Sequence, residues 1–336
     1  MLSFYTLYHH ESRNLIEVKD VTKYYGEFPA ITGLSFSVEQ GEILGFLGPN
    51  GAGKSTTMKI ITGYTPSTSG TVSIAGYDIS EDSLQARRHI GYLPETVPLY
   101  LDMTVADYLT FMGRIRGMGK ADLTRRRSEV VEVCNLGEYY NSIIGKLSKG
   151  YRQRVGIAQS IIHEPDVLVL DEPTIGIDPI QVVETRQLIK SLGQDHTLIL
   201  SSHILPEVSM ICDRVIIIHE GQIVAVDDPV NLGTNLSGVE RVELEVSGPN
   251  REILPVIEQV SGVQSIERIP VSGGAYHRYH VTVDLGKDLR NDLARAIIEN
   301  DWALLKLQSL GMSLEEIFLR LTIEEEQIPT VGEFDG

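Results

Sequence analysis

The sequence predicts an α/β fold followed by a smaller α+β domain. Short apolar runs, residues 43–47 and 167–170 among them, have the length and composition of buried strands, and helical patterns lie between them. A glycine-rich loop directly follows the first of these runs. Beyond residue 238, period-two and helical patterns indicate the order βαββαβ, which is typical of a split-βαβ, ferredoxin-like domain. These three observations predict two domains of different fold.

Composition limits the classes of function. The chain has 336 residues, of which 42% are hydrophobic, and this is enough for two domains with full cores. A net charge of −17 argues against a surface for nucleic acid or anionic lipid. No apolar stretch approaches the roughly 20 residues of a membrane-spanning helix. Cys134 and Cys212 have no metal or redox spacing, so we expect packing residues in a reducing cytosol.

Residues 48–56 read GPNGAGKST, which predicts a phosphate-binding loop. The glycines allow backbone N–H groups to turn inward around a β-phosphate, Lys54 can reach the β- and γ-phosphates, and the Ser55 hydroxyl can ligate Mg²⁺. The next helix is predicted to begin near Lys54. A plain glycine-rich turn is the alternative interpretation. The nucleotide contacts predicted in this loop are Gly48, Pro49, Asn50, Gly51, Ala52, Gly53, Lys54, Ser55 and Thr56.

Two acids follow the apolar run 167–170. An acid at the carboxyl end of such a strand can face a Mg²⁺–nucleotide and its neighbour can polarise a water, so we assign Asp171 to the metal and Glu172 to the water. A solvated strand end is the alternative. Upstream, a turn containing Ser148 and Gly150 opens a helix whose N-terminus can hold a phosphate, although an ordinary N-cap has the same pattern.

With these three elements in this order, residues 15–225 resemble the nucleotide-binding subunit of an ATP-binding cassette (ABC) transporter, a P-loop NTPase cassette with a helical subdomain. The resemblance implies that Tyr25 stacks on adenine, although a packing aromatic beside Tyr24 is the alternative. It also implies a contact between the Ser148–Gly150 turn and the γ-phosphate held by the opposite subunit. Asp178 lies in a loop expected to cross the dimer interface, and His203 matches the switch histidine that holds the γ-phosphate.

The chain departs from the family pattern at two places. The signature turn reads LSKGY, so Lys149 and Tyr151 stand where the commonest form has Gly and Gln. Glu95 stands where most cassettes have a Gln that serves Mg²⁺ and the attacking water. A carboxylate still offers an oxygen to Mg²⁺, but it loses the amide donor and adds a charge. Glu95 and the C-terminal extension both resemble an exporter-type subgroup of cassettes.

The resemblance implies hydrolysis of ATP, with Mg²⁺, between two head-to-tail copies of the chain. The implied partners are a second ATPase subunit, which forms a homodimer, and integral-membrane permease subunits. The chain is expected to associate with the membrane only through this permease, on its cytoplasmic face. No nucleic-acid partner is expected. Export is the expected direction. A ribosome- or DNA-directed soluble ATPase and a non-hydrolysing regulatory module are the alternatives. The predicted catalytic residues are Glu172, His203, Lys54 and Glu95, and the predicted metal ligands are Ser55, Asp171 and Glu95.

The predicted domain limits follow the shifts in pattern along the chain. Residues 1–14 are expected to be a disordered extension, 15–233 the ATPase domain, 238–324 the accessory domain and 325–336 a flexible acidic tail. Within the ATPase domain, residues of about 97–147 show a helical pattern. In the family, this helical subdomain and the loop carrying Glu95 form the groove that receives a short permease helix.

The accessory domain is predicted to have its own core but no catalytic residue. Val242, Leu244 and Val246 alternate with charged residues, which marks a half-buried strand. A hairpin is expected around Gly273 and Gly274, and Ser313 with Glu316 predicts a capping box on a last helix. The polar stretch 276–280 is interpreted as a strand with one solvated face.

Overall fold

The computed structural model describes residues 14–203, 205–229, 239–271, 276–284 and 288–310. The chain forms two compact units that divide between Val226 and Asp227. Over these described ranges, no helix combines the length and the apolar character needed to span a membrane.

The first unit contains two sheets. An antiparallel sheet has the order β2-β1-β4-β5 and is formed by β1 (Asn14–Tyr25), β2 (Phe28–Glu39), β4 (Ser69–Ile74) and β5 (Tyr77–Asp78). A six-stranded sheet has the order β10-β9-β3-β8-β7-β6 and is formed by β3 (Ile43–Leu47), β6 (Ile90–Leu93), β7 (Val167–Asp171), β8 (Thr197–Ser202), β9 (Arg214–His219) and β10 (Gln222–Asp227).

The centre of the six-stranded sheet is parallel and fully buried. Strands β9, β3, β8, β7 and β6 pair in parallel, and every residue of β3, β7 and β8 is buried. Strands covered on both faces need continuous apolar runs, which is why residues 43–47 and 167–170 show no alternation. The parallel pairing brings the carboxyl ends of β3, β8 and β7 to one edge of the sheet.

Helices of the first unit connect these strands. They are α1 (Lys54–Ile61), α2 (Ser83–Arg88), α3 (Val105–Ile115), α4 (Lys120–Val133), α5 (Lys149–Ile161), α6 (Pro179–Leu192) and α7 (Leu205–Ile211). The segment between β6 and α5 contains the helices α3 and α4 and 3₁₀ turns at Gly137–Tyr139 and Ile144–Lys146. This is the helical subdomain of the predicted fold class; its limits near 97 and 147 stay a prediction.

One apolar core joins the two sheets of the first unit. Ile16 and Val18 of the antiparallel sheet, Met58 of α1, and Phe46 and Val169 of the parallel sheet belong to one buried cluster. Cys134 and Cys212 are both buried free thiols. The core thereby holds the β1–β2 hairpin and α1 in fixed positions beside the parallel sheet.

The second unit has the predicted order βαββαβ. Its elements are β11 (Val239–Ser247), α8 (Asn250–Glu258), β12 (Val263–Ile269), β13 (His277–Asp284), α9 (Arg290–Ile298) and β14 (Ala303–Leu310). The strands form an antiparallel sheet with the order β12-β13-β11-β14. Val242, Leu244 and Val246 are buried with Tyr279 and Val281, as their alternation predicts.

Several predictions concern residues outside the described ranges. These are the N-terminal extension, the hairpin turn at Gly273 and Gly274, the capping box of Ser313 and Glu316, and the acidic tail. The two arms of the predicted hairpin are described, and they pair as β12 and β13. The domain limits at 15, 233, 238 and 324 stay predictions.

Candidate nucleotide site

The candidate site lies where three neighbouring strands end. In the parallel ladders, Leu47 lies opposite Ser202, and Asp171 lies opposite Ser201. The chain leaves β3 into the glycine-rich loop, β7 into Glu172, and β8 into His203. Three motifs that are distant in sequence therefore meet at the carboxyl edge of one sheet, where ligands bind in open α/β folds.

Two glycines of the loop are required by close packing. A methyl group on Gly48 would lie 2.3 Å from the Ile218 carbonyl oxygen, and one on Gly53 would lie 2.8 Å from the Ala30 carbonyl oxygen. Gly53 also has a left-handed φ of 106°. As the N-cap of α1 it provides no side-chain hydrogen bond, so the first N–H groups of the helix stay available to an anion such as phosphate.

Lys54 is a buried cation at the start of α1. Its side chain is 6% exposed, and Nζ donates to the carbonyl oxygens of Gly48 at 2.8 Å and Pro49 at 3.1 Å. Glu172 Oε1 lies 3.5 Å from the same ammonium. A charge at this depth needs polar partners, and these oxygens hold the ammonium within the loop.

The two acids are almost fully buried and each has several partners. Asp171 Oδ1 accepts hydrogen bonds from the hydroxyls of Ser55 at 3.2 Å and Ser201 at 2.5 Å. Glu172 Oε2 accepts from His203 Nδ1 at 2.8 Å. A carboxylate oxygen accepts hydrogen bonds, so the imidazole tautomer that makes this bond carries its proton on Nδ1. The structure thus brings Ser55, Asp171, Glu172, His203 and Lys54 together.

A cavity of about 450 Å³ extends from Lys54, Ser55 and Glu172 to the β1–β2 hairpin. Its volume is in the range of small-molecule sites. Glu95, in the loop after β6, lines the cavity together with Glu172 and Ser55. In the described part of the chain, the cavity is lined by Tyr25, Phe28, Ala30, Asn50, Gly51, Gly53, Lys54, Ser55, Thr56, Glu95, Glu172 and Ile175.

Tyr25 has the geometry of a stacking platform. The ring is half exposed, and Lys23 Nζ lies 5.3 Å from its centroid while donating to the Pro66 carbonyl oxygen at 2.7 Å. The half-exposed ring therefore lies in the cavity wall next to a hydrogen-bonded cation, and its stacking on adenine stays a prediction. Tyr24, the neighbouring aromatic residue, is not part of the cavity lining given above.

Three contributing residues were missed by the sequence patterns. Phe28 lines the cavity because it closes the hairpin opposite Tyr25, and hairpin pairing is the signal that could have found it. Lys23 orders the Tyr25 ring. Ser201 is fully buried between the two acids, and its contact depends on the β7–β8 register, which no local pattern reveals.

Ser148, Gly150 and Asp178 lie outside this cavity. Ser148 is the N-cap of α5 and its hydroxyl accepts from the Tyr151 N–H at 3.4 Å. Asp178 is the N-cap of α6 and its carboxylate accepts from the Gln181 N–H at 3.1 Å. Within one chain, these predicted nucleotide contacts are not brought to the loop that carries Lys54.

The oxygen donors at the site fit Mg²⁺. Ser55, Asp171 and Glu95 offer a hydroxyl and two carboxylates, which are hard ligands. Among the described residues, no group of three or more His, Cys, Asp or Glu side chains is arranged to enclose a metal ion. Mg²⁺ needs no such enclosure, because it is usually held by one or two carboxylates, water and substrate phosphates.

Comparisons with known proteins decide the family. The ABC transporter family model matches residues 31–175. The chain is 32% identical over 313 residues to the linearmycin resistance ATP-binding protein LnrL of Bacillus subtilis (strain 168), covering 92% of this chain and 98% of that protein. The chain belongs to the ATP-binding subunits of ABC transporters. ABC ATPase subunits bind and hydrolyse ATP, and they work as dimers with membrane permease partners.

Two further comparisons describe the extent of the likeness. This ABC subunit is 33% identical to the Nod factor export ATP-binding protein I of Ralstonia nicotianae (strain ATCC BAA-1114 / GMI1000), over 94% of this chain and 95% of that protein. A solved ATP-binding subunit of an ABC transporter superposes with a TM-score of 0.60 at 31% identity, covering 65% of this chain and 91% of that one. The likeness to LnrL and to the Nod factor protein extends through the C-terminal unit.

Proposed function

We propose that this subunit hydrolyses MgATP in composite sites between two head-to-tail copies and thereby drives export through a separate membrane permease. The observation that carries the proposal is the single cavity in which Lys54, Glu172 and Glu95 converge, with His203 bonded to Glu172. A buried base, a cation for phosphate charge and hard oxygen donors are the parts that phosphoryl transfer to water requires.

Each residue has a role that follows from its contacts. Lys54 and the free N–H groups of α1 stabilise negative charge on the phosphates. Glu172 accepts the proton of the attacking water, and His203 orients that carboxylate through its Nδ1–H bond and holds the γ-phosphate. Ser55, Asp171 and Glu95 would hold Mg²⁺, which would neutralise phosphate charge. Tyr25, which lines the cavity and is half exposed, stacks on the adenine ring.

The composite site explains the predicted contacts that lie outside the cavity. Ser148, Gly150 and Asp178 stand at the N-termini of α5 and α6 and do not line the cavity of their own chain. In a head-to-tail dimer of two identical subunits, they complete the site of the partner. ATP then closes the dimer and hydrolysis reopens it.

Export through a permease at the cytoplasmic face of the membrane is supported by the relatives. The Nod factor protein is named for export and LnrL for linearmycin resistance, and both match this chain along more than nine tenths of its length. Glu95 in place of Gln and the C-terminal unit also favour an exporter. The permease partners are integral-membrane subunits, which provide the membrane association that this chain needs for transport.

Replacing the general base tests the proposal. Glu172→Gln keeps the size of the side chain and removes the proton acceptor, so we expect turnover to fall about a hundredfold or more while ATP affinity is kept. ATP should then trap the variant as a dimer, detected by size-exclusion chromatography. Glu132→Gln, at an exposed position of α4, is the matched control. Hydrolysis by Glu172→Gln at the wild-type rate would contradict the assignment.

A further inference from the structure

The hydroxyl of Ser201 links the two acids of the nucleotide site. Ser201 lies opposite Asp171 in the β7–β8 ladder and has no exposed surface. Its Oγ donates to Asp171 Oδ1 at 2.5 Å and accepts from the Glu172 N–H at 2.9 Å. A carboxylate only accepts and a backbone N–H only donates, so the direction of both bonds is fixed. One hydroxyl therefore acts on both acids.

The bond to Glu172 supports an unfavourable backbone conformation. Glu172 has a left-handed φ of 48°, which costs free energy for any residue other than glycine and persists only where the surroundings hold it. Its N–H is shared between Ser201 Oγ at 2.9 Å and the Ser201 carbonyl oxygen at 3.2 Å. Without the hydroxyl, only the longer of these two bonds is left to hold this N–H.

The bond to Asp171 affects the oxygen donors for Mg²⁺. Asp171 Oδ1 accepts from two hydroxyls, those of Ser201 and Ser55. Fixing Oδ1 in this way limits rotation of the carboxylate and leaves Oδ2 as the oxygen to serve a cation. Residues that hydrogen-bond to metal ligands commonly set the ligand's orientation and are costly to remove.

We propose that Ser201 is a positioning residue that sets the Asp171 carboxylate for Mg²⁺ and the backbone of the general base Glu172 at the same time. This inference rests on the proposed function, because it takes the roles of both acids from there. It predicts a specific combination of effects. Loss of the hydroxyl impairs the response to Mg²⁺ and the turnover together, whereas nucleotide binding without Mg²⁺ stays intact because Tyr25 and Lys54 are unchanged.

Ser201→Ala in the full chain is the test. Nucleotide affinity is measured by calorimetry in excess EDTA and again in Mg²⁺, and turnover is measured at saturating MgATP. We expect nucleotide affinity in EDTA to stay within about twofold of wild type. The factor by which Mg²⁺ raises nucleotide affinity should fall at least about tenfold, and kcat should fall about 10–100-fold. Ser201→Thr keeps the hydroxyl and should recover most of both. Ser160→Ala is the control, because Ser160 is equally buried and donates to Ile157 O.

The outcomes separate this inference from the proposed function. The inference would be overturned if Ser201→Ala kept the wild-type kcat and the wild-type response to Mg²⁺. It would also be overturned if Ser201→Ala lost nucleotide affinity equally in EDTA and in Mg²⁺ and its melting temperature fell as in Ser160→Ala, because this would be a general loss of stability. Failure of a stably folded Ser201→Thr to recover would also overturn it. Full activity of Glu172→Gln would instead overturn the proposed function. If Glu172→Gln hydrolyses ATP slowly while Ser201→Ala keeps the wild-type kcat and Mg²⁺ response, only the role of Ser201 is overturned.

Discussion

Lys54 illustrates how a buried charge is prepared for a phosphate. An ammonium has three donors and no acceptor, and here the Gly48 and Pro49 carbonyl oxygens and the Glu172 carboxylate surround it. Phosphate oxygens therefore compete with these protein oxygens for the same donors. The cation contributes to both binding and charge stabilisation, so Lys54→Ala should damage affinity and turnover alike.

The Tyr25 platform should affect binding alone. Tyr25→Ala removes stacking on the base, and we expect nucleotide affinity to weaken by roughly 1–3 kcal/mol while turnover at saturating ATP changes little. Isothermal titration calorimetry gives the affinity. Tyr24→Ala is the matched control, since that ring is exposed to a similar degree but does not line the cavity. Unchanged affinity in Tyr25→Ala, or an equal loss in Tyr24→Ala, would place the adenine elsewhere.

The residues of the site differ in how far the sequence could predict them. Lys54, Ser55, Asp171 and Glu172 belong to short motifs, so local sequence was enough to select them as candidates, and the structure brings them together. The sequence left open whether Tyr25 is only a packing aromatic beside Tyr24; the structure places Tyr25 and its hairpin partner Phe28 in the cavity lining, while stacking on adenine stays a prediction. Ser201 could not be predicted, because its contacts depend on the pairing of strands 30 residues apart.

Helix α5 and the loop after β7 lie against each other within one subunit. A methyl group on Gly176, which has a left-handed φ of 66°, would lie 2.2 Å from Lys149 Nζ. A methyl group on Gly150 would lie 1.4 Å from Gln181 Oε1, a buried oxygen with no hydrogen-bond partner in the described part of the chain. The start of α5 therefore contacts both the loop that follows Glu172, at Gly176, and the first turn of α6, at Gln181. The commonest form of the signature turn has glycine in place of Lys149, and a glycine has no side chain that could contact Gly176.

Lys149→Ala should loosen this contact without touching the nucleotide cavity. We expect ATP-dependent dimerisation of the Glu172→Gln background to weaken about three- to tenfold, the effect of a contact worth roughly 0.7–1.4 kcal/mol. Affinity of a single subunit for nucleotide should stay unchanged. Analytical ultracentrifugation measures the first quantity and calorimetry the second. Lys146→Ala, at an exposed lysine three residues earlier, is the control; dimerisation equal in both variants and the parent would refute the role of Lys149.

Elements were predicted more reliably than the contacts between them. The helix at Lys54, the strand before Asp171 and the βαββαβ order are fixed by periodicity and by local turn residues. The order β10-β9-β3-β8-β7-β6 is not contained in any local window, because each crossover is free to place its strand at several positions in the sheet. That strand order brings His203 to Glu172.

At the scale of the whole molecule, the two units have separate cores. The first is the cluster around Phe46, Met58 and Val169, and the second is built from Val242, Leu244 and Tyr279 with the two helices α8 and α9. Among the described residues, those that line the nucleotide cavity all precede residue 204. No catalytic role is assigned to the second unit, and its own buried cluster is the kind that lets a domain fold separately.

Removing the C-terminal unit should therefore leave nucleotide binding intact. A chain that ends at Leu232 keeps the phosphate loop, both acids and the Tyr25 platform, so its ATP affinity should equal that of the full chain, provided circular dichroism and thermal melting show both to be folded. The resemblance to exporter-type cassettes suggests that the C-terminal unit helps to hold the dimer or to dock the permease, so we expect lower transport or a weaker ATP-bound dimer. The readouts are calorimetry for affinity and ultracentrifugation of the Glu172→Gln form for dimerisation. Loss of ATP binding in a folded truncated chain would show that the C-terminal unit completes the site, and the division into two functional domains would then be wrong.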